Sequence, residues 1–172
     1  TCYVLLEAGY ELVVIDSNIN SSDIPLKRLK GFKYSQKIDF DRKLRFFRGD
    51  IRDKRLLRYI FLDSIQRGHP IDGVIHFAGL KSVYESTLNP LAYWETNVGG
   101  TISLLQVMKE YKCQTIVFSS SASIYDFSGM KSFKENNLIK PNSPYGQTKE
   151  VVEKILLSAY ESSSSDWKIA NL

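Results

Sequence analysis

Residues 9–16 read Gly-Tyr-Glu-Leu-Val-Val-Ile-Asp, and this stretch decides the fold. A glycine that ends one helix is followed by a short, almost continuously apolar run and then by an acidic residue. Such a run is typical of a β-strand that is covered on both faces. Four later runs share this character, so the sequence predicts strands at residues 12–15, 44–48, 73–77, 115–119 and 167–172.

Longer amphipathic stretches alternate with these runs. Apolar residues repeat with a period near 3.6 after Lys54, which predicts a helix. Ser143 and Pro144 predict the start of another helix. Serine is a common N-cap, and proline is tolerated in the first turn because the N–H groups there have no intrahelical acceptor. Strands that alternate with helices form right-handed crossovers. The predicted fold class is therefore α/β with a doubly wound parallel sheet. Helices are predicted at residues 1–8, 54–66, 90–111 and 144–160. The predicted connections are a long loop with some irregular helix at 16–43, another long connection at 127–142 and a flexible turn at 162–165.

The composition is that of an ordinary globular chain, with 172 residues, 43% of them hydrophobic and 24% charged. It excludes collagen-like and wholly disordered chains, and no apolar run approaches the roughly 18 residues of a membrane span. Two cysteines without a Cys-x-x-Cys pair predict a reducing compartment and no metal site. No charged-then-apolar leader precedes the first helix, so the expected location is the cytoplasm, without a membrane partner.

The net charge of +4 is concentrated in one part of the chain. Between Lys27 and Arg58 there are thirteen Lys and Arg residues and four acidic ones, so the rest of the chain is mildly acidic. A basic block of this kind can mark a nucleic-acid surface. No nucleic-acid-binding motif accompanies it, so a solvated surface is the favoured interpretation and no nucleic-acid partner is expected.

Asp16 stands at the carboxyl end of the first predicted strand. In a dinucleotide-binding unit an acidic residue at this position holds the adenosine ribose, about 20 residues after the first glycine of a phosphate-binding loop. Counting back that far from Asp16 passes Thr1, so the first strand and its glycine loop are expected to precede this chain. The alternative is that Asp16 only caps a loop.

A serine-rich strand end and a later helix start carry the second signal. SSSASIY occupies residues 119–125, and SPYGQTK occupies residues 143–149. Tyr145 and Lys149 are four residues apart, which places them on one helix face about 6 Å from each other. A phenol is a poor base because it ionises at about pH 10, and a nearby ammonium favours the phenolate. Alone this spacing is more typical of a surface pair. Together with a strand-end serine that can relay a proton, it favours a general base and its activator.

The stretch VIHFAGLK at residues 74–81 ends another buried strand in a turn of small residues. Gly79 allows a ligand to approach the backbone closely, at the sheet edge where open α/β sheets bind ligands. His76 lies within the apolar strand, so a hydrogen-bonded structural histidine is favoured over a catalytic one. Asn97, in the long predicted helix, is either a polar residue of the helix face or a cofactor contact, and both interpretations stay open.

In this order and spacing, the motifs resemble those of the extended short-chain dehydrogenase/reductase family, and within it those of the UDP-glucose 4-epimerases, over essentially the whole chain. The FAGLK form points to the epimerases. The resemblance implies a partial Rossmann-like, NAD-binding domain at residues 1–172, truncated at both ends, with the glycine loop and the substrate domain outside this chain. It rests on VID at 14–16, GDIR at 49–52, HFAGLK at 76–81, NVGGT at 97–101, SSSASIY at 119–125 and SPYGQTK at 143–149.

The resemblance also implies roles for single residues. Tyr145 would be the catalytic base, Lys149 its electrostatic activator and ribose anchor, and Ser121 a proton relay and substrate contact. Asp16 would favour NAD over NADP, because a carboxylate repels a 2′-phosphate, and Asn20 would lie beside the same ribose. The other cofactor contacts would be Asp50 and Ile51 at the adenine, Phe77, Ala78, Gly79 and Lys81 along the cofactor, and Asn97 beside the second ribose.

The implied reaction interconverts UDP-glucose and UDP-galactose, in galactose metabolism. The base removes the proton of the sugar 4-hydroxyl while the C4 hydride passes to tightly held NAD, and the 4-keto sugar rotates and receives both on its other face. Dehydratases of the family usually carry an Asp-Glu pair where this chain has Ser121-Ala122-Ser123, and the Thr-Ser-Glu-Val-Tyr pattern of UDP-glucuronate decarboxylases is missing too. Asp126 replaces a usual glycine, whereas Gly146 and Gln147 are ordinary variants.

Other functions stay open beside this one. The chain could be a non-catalytic binding or dimerisation module, or could belong to another sugar-nucleotide epimerase of the family. The isolated chain is expected to be inactive, and its full-length parent is expected to form a homodimer through the two long helices. Residues that could line that interface, or could simply face the sheet, are Leu104, Val107, Met108, Val151, Val152 and Ile155.

Overall fold

The computed structural model of the chain describes residues 1–29, 39–126, 134–162 and 166–172. Within these ranges the chain divides into two compact units, Thr1–Ile51 and Arg52–Leu172. No helix among them is long and apolar enough to cross a membrane. Parts of both predicted connections, of the predicted turn and of the basic block lie outside the described residues, at 30–38, 127–133 and 163–165.

The first unit pairs two strands with short helices. Strands β1 and β2 are parallel, so Asp16 and Arg48 stand opposite each other at the carboxyl ends. Gly9 has a φ of +95°, a left-handed conformation that glycine adopts readily, and the helix stop predicted there is confirmed. The elements in chain order are α1 (Cys2–Glu7), β1 (Leu12–Asp16), α2 (Ile24–Leu29), α3 (Phe40–Lys43) and β2 (Leu44–Arg48).

The second unit contains a three-stranded parallel sheet in the order β3-β4-β5. Helices precede or follow every strand, as expected for an α/β fold. The elements in chain order are α4 (Lys54–Gln66), β3 (Val74–His76), α5 (Val83–Leu88), α6 (Pro90–Tyr93), a π-helical turn (Trp94–Gly99), α7 (Gly100–Glu110), β4 (Thr115–Phe118), a 3₁₀ turn (Ala122–Ile124), α8 (Pro144–Glu161) and β5 (Lys168–Asn171).

The predicted α/β class with parallel strands is confirmed. All five predicted strands are present with ends within one residue of the prediction, and α1, α4 and α8 agree equally well. The single α-helix predicted at residues 90–111 is wrong in its middle, because the turn Trp94–Gly99 is π-helical. Helices α2 and α3 lie within the connection 16–43, where some irregular helix is expected, whereas the short helix α5 is not predicted.

The core of the second unit includes the residues considered for a dimer interface. Leu104, Val107 and Met108 of α7 and Val152 of α8 are at most 5% exposed within the chain itself. For these four residues the structure supports the alternative that they pack inside the chain, and they offer no surface to a partner. Val151 and Ile155 are half-buried.

Cations of the basic block pair with carboxylates. Arg58 of α4 donates to Glu110 of α7 through two hydrogen bonds of 2.7 and 2.8 Å. Lys27 pairs with Asp23 at 2.8 Å, and Arg52 pairs with Glu95 at 3.3 Å. These pairs support the interpretation of the block as an ordinary charged surface.

Candidate active site

The first turn of α8 packs on the segment that follows β4. The predicted cap is confirmed, since the Ser143 hydroxyl accepts the N–H of Gly146 at 3.1 Å and Pro144 occupies the first turn. This start places Tyr145 and Lys149 on the inner side of α8, where they are 8% and 7% exposed. Lys149 Nζ donates to the carbonyl oxygen of Ser119, at the end of β4, over 2.7 Å.

The Lys149 ammonium lies over two aromatic rings. Nζ is 4.7 Å from the ring centroid of Phe118 and 5.9 Å from that of Tyr145. Burial lowers the pKa of Lys149 to about 8, because a charged group loses hydration away from water. The structure thus brings together on one side of α8 the pair that the sequence spacing predicts.

Ser121 begins the 3₁₀ turn that follows β4. It is half-buried, and its Oγ accepts the N–H of Ser123 at 3.2 Å. A Cβ atom at Gly146 would overlap the carbonyl oxygen of Ser123 and lie 2.9 Å from Pro141 Cβ. Gly146 therefore also has a packing role that the sequence analysis does not assign to it, since only glycine lets α8 approach the turn that holds Ser121. Glycine is a poor helix former, and its place in the first turn of a helix was the signal for this contact.

Asn97 connects two parts of the site. Its Oδ1 accepts the N–H of Leu80 at 2.7 Å, and its Nδ2 donates to the carbonyl oxygen of Leu80 at 3.0 Å and to Thr148 Oγ1 at 3.1 Å. At 4% exposure it is not a solvated residue of a helix face. A Cβ atom at Gly79 would lie 2.9 Å from Asn97 Oδ1, so glycine also allows this close approach.

The other predicted residues of the second unit lie after β3. Phe77 is 56% exposed, Lys81 is exposed, and Ala78 and Gly79 are half-buried, so this segment is accessible to a ligand. His76 is 3% exposed, and its Nε2 lies 2.9 Å from Thr101 Oγ1. Burial, and secondly the charge of Lys149, lowers the pKa of His76 to about 4. The prediction of a hydrogen-bonded structural histidine is confirmed.

The predicted residues of the first unit lie at the carboxyl ends of its strands. Asp16 Oδ1 accepts the N–H of Asn18 and the hydroxyl of Ser21, each at 2.8 Å, so Asp16 does cap the loop after β1. The N–H of Gly49 donates to the backbone oxygen of Asp16 at 3.0 Å, which holds the segment before Asp50 beside it. Asn20 is exposed, whereas Ile51 is 6% exposed.

Several residues near the site were missed by sequence reasoning. The ring of Tyr93 lies edge-on to that of Tyr145 at 6.4 Å, and its hydroxyl accepts the N–H of Ser82 at 3.0 Å. The Ser120 hydroxyl donates to the carboxylate of Glu153, one turn after Lys149 on α8. In the part of the chain that the structure describes, no cluster of three or more His, Cys, Asp or Glu side chains could hold a metal.

Proteins of known sequence resemble this chain along nearly all of its length. UDP-glucose 4-epimerase 2 of Oryza sativa subsp. japonica is 41% identical over 165 residues, which cover 96% of this chain and 38% of that protein. UDP-glucose 4-epimerase of Yersinia pestis is 41% identical over 161 residues, which cover 91% of this chain and 43% of that protein. The chain thus spans less than half the length of these relatives.

Solved structures show the same fold. UDP-glucose 4-epimerase from Bifidobacterium longum, in complex with NAD+ and UDP, superposes with a TM-score of 0.83 at 32% identity. The superposed region covers 98% of this chain and 47% of the Bifidobacterium chain. The UDP-glucose 4-epimerase from Stenotrophomonas maltophila, with bound NAD and formylated UDP-arabinopyranose, superposes with a TM-score of 0.83 at 33% identity. The superposed region covers 99% of this chain and 47% of the Stenotrophomonas chain. The family model of GDP-mannose 4,6 dehydratase matches residues 1–171. The chain therefore belongs to the GDP-mannose 4,6 dehydratase family, within the extended short-chain dehydrogenases/reductases.

Proposed function

We propose that the complete protein carrying this chain is an NAD-dependent UDP-glucose 4-epimerase. The observation that carries the proposal is the buried pair of Tyr145 and Lys149 on α8, with the ammonium 5.9 Å from the centroid of the phenol ring. The relatives and solved structures named above are UDP-glucose 4-epimerases, and the two structures hold NAD.

Each of the two units supplies groups whose chemistry suits a part of a nicotinamide dinucleotide. The Lys149 ammonium has three hydrogens, of which Ser119 takes one, so two remain for ribose hydroxyls. The Asp16 carboxylate is suited to the hydroxyls of the adenosine ribose, with Asn20, Asp50 and Ile51 beside that end. Phe77, Ala78, Gly79 and Lys81 offer an accessible segment, and Asn97 holds it in place. NAD, when bound, supplies a hydride acceptor and donor for C4 of the sugar.

The side chains of the second unit perform the proton transfers. Tyr145 as phenolate takes the proton of the 4-hydroxyl and returns it when the sugar presents its other face. Lys149 stabilises the phenolate, and the hydroxyl of Ser121 binds the 4-oxygen and can relay the proton. Because Tyr145 gains this proton and then gives it back, the residue is unchanged after each turnover.

The local sequence and the burial of Lys149 separate this function from its alternatives. Eliminating water from the sugar needs a carboxylate pair, and Ser121, Ala122 and Ser123 provide none. A binding or dimerisation module without catalysis would have no use for a buried ammonium, whose desolvation opposes folding. Another sugar-nucleotide epimerase of the family remains the second candidate.

The proposal also covers the substrate, the oligomeric state and the compartment of the complete protein. Its substrate is a UDP-sugar, and its homodimer uses exposed apolar residues of α7 and α8, such as Ile102, Leu157 and Tyr160, rather than the buried ones. Both cysteines, Cys2 and Cys113, are free thiols, which supports the cytoplasm as the compartment.

Tyr145→Phe in the complete protein tests the function. We expect conversion of UDP-galactose to UDP-glucose in the parent and a loss of about 100-fold or more in the variant, because a general base contributes about that much. Tyr10→Phe, at an exposed tyrosine between α1 and β1, is the matched control and keeps the parent rate. A parent that converts only N-acetylated UDP-sugars points to the second candidate, and a Tyr145→Phe variant with full rate refutes the role of Tyr145.

A further inference from the structure

Two buried side chains outside the proposed catalytic set lie behind Asn97. His76 on β3 is 3% exposed, and Thr101 on α7 is fully buried. His76 Nε2 lies 2.9 Å from Thr101 Oγ1, which lies 2.5 Å from the backbone oxygen of Asn97. These contacts form one continuous chain from the sheet to Asn97.

The chemistry of the three groups fixes the direction of each hydrogen bond. A backbone carbonyl only accepts, so the single hydroxyl hydrogen of Thr101 points at Asn97 O. The Thr101 oxygen can then only accept from His76, so Nε2 of the neutral imidazole carries the hydrogen. Burial keeps this ring neutral near pH 7, since its pKa is lowered to about 4.

The chain of hydrogen bonds ends on an unusual turn of the helix. Asn97 lies in the π-helical turn Trp94–Gly99, where backbone hydrogen bonds shift toward i→i+5, as in the bond from Gly100 N–H to Glu95 O. The Thr101 hydroxyl supplies Asn97 O with a donor from four residues later, and such back-bonding bends helices. The shape of this turn sets the position of the Asn97 amide, which in turn holds Leu80 and Thr148.

We propose that His76 and Thr101 are positioning residues of the active site. They fix Asn97 through hydrogen bonds of defined direction, and Asn97 holds both the segment after β3 and the helix that carries Tyr145 and Lys149. Neither residue touches the reacting atoms in this role. The kinetic part of the test rests on the proposed epimerase function, and a spectroscopic part does not.

The kinetic experiment compares Thr101→Val with Thr101→Ser in the complete protein. We expect kcat to fall about tenfold to 100-fold in the valine variant, with the KM for UDP-galactose within about twofold of the parent, because small misplacements slow chemistry more than binding. The serine variant keeps the hydroxyl and is expected to retain most of the parent kcat. Ser64→Ala is the matched control, because it removes a buried hydroxyl that donates to the carbonyl of Ile60 on α4, at 2.9 Å, and should leave kcat unchanged.

The spectroscopic experiment records nitrogen NMR signals of the His76 ring in the same protein. We expect the Nε2–H form at neutral pH in the parent and in Thr101→Ser, with a displaced Nε2 signal in Thr101→Val. If the valine variant does not fold, the kinetic comparison uses His76→Gln against His76→Phe instead, and we expect the glutamine variant to retain more of the parent kcat, because only the glutamine amide can donate to Thr101.

The possible outcomes are distinct. An Nδ1–H form in the parent, a Thr101→Val variant with parent kcat, or equal losses of kcat in Thr101→Val and Ser64→Ala would overturn the positioning role. A parent without epimerase activity would refute the proposed function. The NMR result would still decide the direction of the hydrogen bonds.

Discussion

Lys149 is the residue at which the proposed activity and the stability of the fold conflict. Its ammonium is 7% exposed and lies among Phe118, Tyr145 and the carbonyl of Ser119. Burial lowers its pKa from an ordinary 10.5 to about 8, which corresponds to a destabilisation on the order of 3 kcal/mol at neutral pH. The burial of Lys149 therefore opposes folding, and the same burial places its ammonium beside the phenol of Tyr145.

Lys149→Met should therefore stabilise the protein while it abolishes activity. Between pH 8 and 10.5 the unfolded chain holds a proton that folded Lys149 has lost, so the parent gains stability as pH rises through this window. At pH 7 we expect the variant to be more stable by about 1–2 kcal/mol in urea unfolding, with the difference vanishing above about pH 10. Lys154→Met, at an exposed position of α8, is the control, and its free energy of unfolding should stay within about 0.5 kcal/mol of the parent value. A less stable Lys149→Met variant at pH 7 contradicts this account.

Gly146→Ala tests the close approach between α8 and the 3₁₀ turn. Alanine normally stabilises a helix relative to glycine, but here its Cβ would overlap the Ser123 carbonyl oxygen and crowd Pro141. We expect the free energy of unfolding to fall by about 1–3 kcal/mol, since overpacking outweighs propensity. Gly99→Ala is the matched control, because its nearest neighbour is Trp94 O at 4.0 Å, and it should gain up to about 1 kcal/mol. Equal shifts for both variants would show that Gly146 is not crowded.

At the scale of elements, α8 is held in place at its start and along its inner side. Ser143 caps it, Lys149 bonds to Ser119, and Glu153 accepts from Ser120. The last two contacts lie one helical turn apart and join the helix to consecutive residues after β4. The position of Tyr145 relative to Ser121 thus depends on several contacts of one helix.

Ser143→Ala measures the first of these contacts. The variant leaves the N–H of Gly146 without its side-chain acceptor, so urea unfolding should show a loss of about 1 kcal/mol. Ser158→Ala is the same substitution in the interior of α8, where the hydroxyl donates to Lys154 O, and it should be neutral or gain a few tenths of a kcal/mol. A cap variant as stable as the Ser158 variant would mean that α8 needs no cap.

Elements with a strong local pattern were predicted from the sequence, and elements without one were not. The strands were found because continuous apolar runs mark burial on both faces, and α4 because its apolar residues repeat at the helical period. Helix α5 was missed because Val83, Tyr84 and Leu88 are exposed and give no buried face. Its signal was the spacing of Ser82 and Glu85, in which Ser82 accepts the N–H of Glu85 as a cap.

The same division applies to the candidate site. Tyr145 and Lys149 were paired from sequence because both lie on one helix and their spacing defines the geometry. The position of Asn97 was not predictable, since its partners are backbone atoms of Leu80 and the hydroxyl of Thr148, 17 and 51 residues away. No local pattern encodes contacts at that separation. The π-helical turn that makes them possible has no composition cue either.

At the scale of the whole molecule, His76 links stability to acidity. The folded state lowers its pKa to about 4, chiefly by burial, whereas the unfolded chain titrates at an ordinary 6.5. Below pH 6.5 His76 is protonated in the unfolded chain and still neutral in the folded chain. The free energy of unfolding therefore falls as the pH drops toward 4, by up to about 3 kcal/mol. Urea unfolding of the parent and of His76→Gln between pH 4 and 7 should show a smaller slope in the variant. The exposed His69→Gln serves as control, and an unchanged slope in His76→Gln would contradict the assignment.

The π-helical turn Trp94–Gly99 has a consequence for changes in chain length. An α-helix advances by about 100° per residue, and a π-helical turn holds one residue more than an α-helical turn. Deleting one residue there would give an unbroken α-helix, so helix content and solubility would hardly change. Because the π-helical turn accommodates one extra residue, the helix residues on the two sides of the deletion would keep nearly the same facing, and the change would be confined to the backbone around Asn97. A single-codon deletion in this turn would thus preserve the helix and the facing of its flanks, while it alters the segment from which Asn97 reaches Leu80 and Thr148.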